Sequence, residues 1–151
     1  MISFAVENWS DVKSEAAPLW PLHWDEVGQN KVKMQLDPDI AKLDRLNSMG
    51  MLHIVIARDN GKLVGYHASL IDNLIHYKNV LAAKCDLHWL HPDYRKGATG
   101  LRLFKEVERT LKLRGVQVMY DFTKLYLDKG PVFEHLGYRP IERVYSKWIG
   151  D

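Results

Sequence analysis

The sequence predicts a single α/β domain: a mixed, mostly antiparallel sheet with helices on both faces. Three observations carry that expectation. The elements run strand, two helices, three strands, then helix, strand, helix and closing strands, which is the order of a sheet covered on both sides. Asn60-Gly61 separates two apolar runs and is a strong hairpin signal, because both residues accept the positive φ of a type I′ turn. Residues 82–115, AAKCDLHWLHPDYRKGATGLRLFKEVERTLKLRG, read as a strand, a basic glycine-containing turn and a long amphipathic helix. With 151 residues the chain can bury one sizeable core. No repeat, linker or low-complexity tract divides it, so residues 1–151 form one expected domain.

Taken in order, residues 2–6 alternate weakly and suit an edge strand. Ser10 is a candidate cap for a short helix that Pro18 interrupts. Past Pro21, the residues Trp20, His23, Trp24 and Val27 fall at i, i+3, i+4 and i+7 and share one helical face. Asp37-Pro38 starts another helix, which carries Ile40, Leu43 and Leu46 and stops at Gly50. Residues 52–58 and 62–71 flank the hairpin turn, and Asp72-Asn73 with Tyr77-Lys78-Asn79 supply the next one. In the strand that follows, Ala82, Lys84, Asp86, His88 and Leu90 alternate onto one face. Ala83, Cys85, Leu87 and Trp89 take the other. Pro92 ends that ladder, having no amide proton to give. From Thr99 a helix places Leu103, Val107 and Leu111 on one face beside Phe104, and Gly115 caps it. Residues 116–122 are an expected strand, 130–136 a short helix, and 138–149 one or two closing strands.

Composition narrows the function classes. A hydrophobic content of 46% with 26% charged residues is that of an ordinary globular protein. Twenty-one basic against 19 acidic residues give a net charge of +2, too balanced for an electrostatic footprint on nucleic acid. Glu106 and Glu108 on the most basic helix argue the same way. A single cysteine excludes an intrachain disulfide and fits a reducing compartment. No run approaches roughly 18 apolar residues, and the N-terminus lacks a basic-then-apolar export signal, so a cytoplasmic protein is expected. Seven histidines are present, but none stands at i, i+4 from another within a carboxylate motif, so no metal is expected. Cys85 reads as a small buried hydrophobe.

The chemistry-bearing stretch is the turn from Arg95 to Gly100. A strand that feeds small residues into a helix N-terminus presents unpaired amides and the positive end of the helix dipole together. Such a turn suits a phosphate or pyrophosphate.

The same residues carry a resemblance. His91-Pro92-Asp93-Tyr94-Arg95-Lys96-Gly97-Ala98-Thr99-Gly100 resembles the acyl-CoA signature of the GCN5-related N-acetyltransferases (GNATs). The family pattern is Arg or Gln, two residues, Gly, one residue, then Gly or Ala, and a helix. Arg95 matches the first position and Gly100 the last, while Ala98 stands where the inner glycine usually is. Downstream, Phe133-Glu134-His135-Leu136-Gly137-Tyr138 is similar to the family's late Tyr-Glu-Lys-Leu-Gly-Phe segment. The resemblance covers about residues 50–150, and more weakly it is to the short acetyltransferases of tailed phages.

The resemblance implies a GNAT-like fold whose central strands splay apart around acetyl-CoA, used as co-substrate without a metal. It implies N-acetyl transfer to a primary amine by direct attack in a ternary complex; the alternative is a CoA-binding scaffold that has lost catalysis. In that reading the amides of Lys96, Gly97, Ala98, Thr99, Gly100 and Leu101 bind the pyrophosphate, with Arg95 and Lys96 adding charge. The backbone of Leu90 and His91 lies along the pantetheine, with the Leu90 amide near the thioester oxygen. Asp86 and His88, expected on one strand face, are candidates for the base that draws a proton from the ammonium. Phe133 occupies the position where the family commonly has the tyrosine that protonates the leaving thiolate, and Tyr126 is the candidate substitute. Trp20, His23 and Trp24 are candidates to hold the acceptor. The acceptor is expected to be a small molecule or a protein amine, with no membrane or nucleic acid involved. The oligomeric state stays open, a dimer included.

Overall fold

The computed structural model describes residues 1–150. Five strands form one sheet in the order of the chain: β1 (Ile2–Val6), β2 (Leu52–Asp59), β3 (Lys62–Leu74), β4 (Tyr77–Leu90) and β5 (Val118–Tyr120). All neighbours pair antiparallel except β4 and β5, which run parallel. The mixed, mostly antiparallel sheet is therefore as the sequence predicts. The β2–β3 hairpin turns at Asn60 and Gly61, both at positive φ (49° and 87°), as a type I′ turn requires.

Helices cover both faces. On one side lie α1 (Trp9–Ala16), α2 (Trp20–Val27) and α3 (Ile40–Ser48), where Trp9, Val12 and Ala16 pack on Leu52, Ile54, Ile56, Tyr66 and Trp89. A 3₁₀ turn, Ala17–Leu19, takes up Pro18 between α1 and α2. The caps differ slightly from expectation: Asn8, not Ser10, caps α1 by accepting the Ser10 amide, and Asp39 caps α3 by accepting that of Lys42. On the other side, α4 (Thr99–Leu113) lays Leu103, Val107 and Leu111 against Val55, Ile71 and Ala83. The short α5 (Gly130–His135) brings Phe133 against Phe104 of α4, with ring centroids 5.3 Å apart.

Two expectations fail at the C-terminal side. The strand expected over 116–122 shrinks to Val118–Tyr120, paired only with Ala82, Ala83 and Lys84. Residues 138–150 form no strand, and Ile141, Val144, Tyr145, Trp148 and Ile149 are exposed. The physical reason is legible afterwards. Those apolar residues recur at three- and four-residue steps rather than every second residue, and Pro140 removes an amide at the outset.

A third difference lies in β4. Ala68 of β3 faces Leu87, but its neighbour Ser69 faces Cys85, so Asp86 is the extra residue of a β-bulge. The bulge resets the alternation. Asp86 and Leu87 project toward α1–α3, whereas Cys85 and His88 both project toward α4. Asp86 and His88 therefore do not share a face, contrary to the expectation from strict alternation.

Candidate active site

Past Lys84, β4 has no strand partner on its β5 side, and the two chains part. The His91 amide donates to the Val64 carbonyl (2.8 Å), and the register places Leu90 opposite Gly65 and His88 opposite His67. In an antiparallel ladder, residues alternate between turning their amides toward the partner and away from it. The amides of Leu90 and His88 thus face the opening. That of His91 does not, so only Leu90 of the expected pair offers a free N–H there.

The opening leads to the N-terminus of α4. Ala98 caps that helix without any side-chain hydrogen bond, leaving the amides of Thr99, Gly100 and Leu101 without intrahelical acceptors. Gly97 takes φ = 63°, which bends the chain into the helix. A Cβ built at Gly100 meets no protein atom within 4 Å, so the space over the first helical turn is open. Lys96 is exposed and Thr99 half-buried beside it, and the Thr99 hydroxyl donates to the Lys96 carbonyl (3.3 Å). The backbone here fits a pyrophosphate.

Arg95 is placed differently from expectation. Its Nε donates to the Leu90 carbonyl (2.7 Å) and its guanidinium to Glu26 Oε1 (2.6 Å). The same carboxylate oxygen accepts the indole N–H of buried Trp89 (2.9 Å). Burial pushes the Glu26 carboxyl up, but these two hydrogen bonds outweigh it and hold the group below the usual carboxylate range. Arg95 thereby ties the glycine turn to α2, with its charge already matched.

On the α1–α3 side a cleft of about 320 Å³ runs between helices and sheet to the mouth of the opening. Trp20, Trp24 and Asp86 line it, with Phe122, Lys124 and Lys129 from the chain after β5. Trp20 stacks on Trp9 with centroids 6.1 Å apart, and Lys31 sits over the Trp24 ring at 4.9 Å. His23 is buried and its Nδ1 lies 3.0 Å from the Tyr66 hydroxyl. Burial and Lys129 push its pKa down to about 4, so it stands neutral as a packed core side chain at the cleft floor. Asp86 is open to the cleft, yet the protein mass around it pushes its carboxyl up, with Lys42 opposing. Tyr126 is exposed, and its hydroxyl donates to the Glu26 carbonyl (3.2 Å).

On the opposite face, behind β4, His88 packs against Phe104 and Phe133 at centroid distances of 5.2 and 6.0 Å. Burial, reinforced by Lys129 and His67, pushes its pKa down to about 3, so it is neutral. Beside it lie Cys85, His67 and Asp121, a group that sequence reasoning did not assemble. His67 Nε2 donates to Asp121 Oδ1 (2.9 Å), and the Tyr138 hydroxyl donates to Asp121 Oδ2 (2.8 Å). Burial would raise Asp121, but the hydrogen bond from His67 prevails and keeps it low. Burial, with Asp121 nearby, pushes the Cys85 thiol well up, which makes it a poor nucleophile as it stands. The one signal in the sequence was the Cys-x-x-His spacing of Cys85 and His88, which strict alternation assigns to opposite faces.

No family model matches the chain, and no curated protein matches it in sequence. Solved structures do. An aminoglycoside acetyltransferase from an uncultured soil metagenomic sample, in complex with sisomicin, superposes with a TM-score of 0.74 at 12% identity, over 99% of this chain and 95% of that one. A predicted acetyltransferase from Clostridium acetobutylicum with acetyl-CoA gives 0.72 at 13%, over 99% and 97%. A transcriptional regulator from Bacillus halodurans C-125 gives 0.75 at 13%, over 99% and 100%. At such identities the likeness shows the fold: this chain has the fold of the GNAT acetyltransferases.

Proposed function

We propose that this protein is an acyl-CoA-dependent N-acyltransferase that moves an acetyl group from acetyl-CoA to a primary amine by direct attack in a ternary complex. The observation that carries the reading is continuous: the outward-facing amides of His88 and Leu90 lead to the uncapped N-terminus of α4 over open Gly100. On a fold shared with proteins that bind acetyl-CoA, that track suits a pantetheine followed by a pyrophosphate.

Acetyl-CoA supplies the acyl group and a thiol leaving group. The amides of Lys96 to Leu101 hold the pyrophosphate, and the His88 and Leu90 amides face the place where carbonyl charge would develop. Asp86, on the cleft side of the bulge, takes the amine proton directly or through one water. Its exposure to the cleft makes it the base in preference to His88, whose ring packs against Phe104 and Phe133 and whose basicity burial lowers. Tyr126 is tied to Glu26, so solvent returns the proton to the departing thiolate.

The cleft also speaks to the acceptor. Its walls are aromatic and apolar, Lys124 and Lys129 are its cations, and Asp86 is its unpaired carboxylate. A polycation would meet those lysines unfavourably, so the acceptor is a single amine on an apolar body, held by Trp20 and Trp24. The protein works without nucleic acid and in the cytoplasm.

The test is direct. Acetyl-CoA should raise the Tm and show saturable binding by calorimetry, because it binds only the native state. A screen of arylalkyl and alkyl amines should then yield acetylated product by mass spectrometry. Millimolar CoA that leaves Tm unmoved and shows no heat of binding would sink the cofactor reading. Tight binding with no acylated product in amines or protein extracts would favour a scaffold.

A further inference from the structure

We propose that His67, Cys85, His88 and Asp121 form a four-ligand site for a borderline transition-metal ion, best Zn²⁺. One ligand atom from each side chain lies within 4.8 Å of every other; His67 and Cys85 are buried and His88 and Asp121 half-buried. The Cys85 Sγ to His88 Nδ1 distance is 3.5 Å and the His67 Nε2 to Asp121 Oδ1 distance 2.9 Å. With Zn–N near 2.0–2.1 Å and Zn–S near 2.3 Å, tetrahedral ligands stand about 3.3–3.6 Å apart, so the widest pair must close by roughly 1 Å. Side-chain rotation covers that distance.

The bulge is what builds the site. In a regular strand the Cys-x-x-His spacing would put Cys85 and His88 on opposite faces of β4; the bulge at Asp86 takes up one residue of that spacing and presents both to α4. His67 comes from β3, and Asp121 from the residue after β5, so an ion would bridge three strands at the point where β4 and β5 part.

Charge and outer contacts both match. A thiolate and a carboxylate neutralise a divalent ion, which a buried site requires. A thiolate with two imidazoles selects Zn²⁺ over Mg²⁺ or Ca²⁺. Ser69 Oγ lies 3.4 Å from His67 Nδ1, and Tyr138 holds the far oxygen of Asp121. Those are the outer partners that fix a ligand's orientation. On binding, Cys85 gives its thiol proton to solvent. His67 gives up the proton on Nε2 and carries one on Nδ1, facing Ser69. Phe104 packs against His67 and Phe133 against His88, and four protein ligands leave no open position, so the ion is structural.

The experiment uses the full chain without a histidine tag. Plasma mass spectrometry should find close to one zinc per chain. Stripping with a strong chelator should lower Tm by more than about 5 °C, and zinc should restore it. Cobalt(II) added to the stripped protein should give a thiolate-to-metal charge-transfer band and intense tetrahedral visible bands. Cys85→Ser should abolish the charge-transfer band, Tyr138→Phe should weaken zinc binding about 10–100-fold, and His76→Ala, at an exposed turn, should change nothing. Native protein without zinc, showing neither the cobalt bands nor a Tm response, would overturn the site. So would a charge-transfer band that survives in Cys85→Ser. Should that variant fail to fold, the wild-type cobalt spectrum decides alone.

Discussion

Replacing Glu26 tests how the glycine turn is held to the rest of the molecule. Its Oε1 accepts both the Arg95 guanidinium at 2.6 Å and the Trp89 indole at 2.9 Å. The Arg95–Glu26 pair is partly exposed, 38% and 27% for the two side chains, so solvent screening holds its worth to about 0.5–1 kcal/mol. Trp89 is 3% exposed, and an indole N–H left there without an acceptor costs about 1–3 kcal/mol. Glu26→Ala should therefore destabilise by about 2–3 kcal/mol, while Glu26→Gln, which keeps an oxygen for the indole, should cost about 1 kcal/mol or less. The depressed carboxyl adds a pH signature. A group whose folded pKa lies below its unfolded value stabilises above the unfolded pKa, near 4.5, and that stability is lost as pH falls through the folded value. Urea unfolding at pH 7 and across the acid range below pH 4.5 reads both effects. Equal losses for Ala and Gln, or an unchanged acid profile in Glu26→Gln, would refute the reasoning.

Asp86→Asn should cut turnover by at least about tenfold while CoA affinity measured by calorimetry stays within about twofold; full turnover would make the carboxylate structural. Gly100→Val should weaken CoA binding at least about tenfold without loss of fold, because a Cβ there meets no protein atom within 4 Å, and Ala98→Gly should preserve or tighten it; equal affinities in both variants would place the pyrophosphate elsewhere. His53 is buried with both ring nitrogens lacking a partner among the described residues, so His53→Leu should stabilise by about 1–2 kcal/mol in urea unfolding. Burial pushes the His53 pKa from 6.5 down to about 4, so the wild type should lose stability as pH falls through that window, and His53→Leu should lose less.

Local rules carried most of the fold. Apolar runs on either side of the Asn60-Gly61 turn gave β2, β3 and their hairpin, alternation gave β4, and the Leu103, Val107 and Leu111 stripe gave α4, because each reports a burial decided within a few residues. The glycine turn was equally legible, since an uncapped helix start behind Gly97 is a local matter. Other features depend on partners far along the chain. Arg95 reads as a phosphate ligand in isolation, and only the fold brings Glu26 to it from 69 residues away. His67 and Asp121 are 54 residues apart, and no spacing rule joins them.

The bulge at Asp86 shows why the site was harder to read than the fold. A strand's hydrophobic pattern survives one extra residue, because the segments on either side keep their own alternation and their own buried faces. The side chains next to the extra residue do not survive it, since each is reassigned to the other face. Asp86 and His88 part company there, one to the acceptor cleft and one to the packed layer beneath α4, while Cys85 and His88 are brought together. The same unpaired stretch turns the His88 and Leu90 amides toward the opening. One inserted residue thus sorts the polar side chains of β4, sending Asp86 toward α1–α3 and packing Cys85 and His88 toward α4. Deleting Asp86 should accordingly separate the two faces: the pairings of Cys85 and Leu87 with β3 are kept, Cys85 and His88 become alternate residues of a regular strand on one face, and the cobalt charge-transfer band should survive while turnover falls by at least about tenfold, as it should in Asp86→Asn.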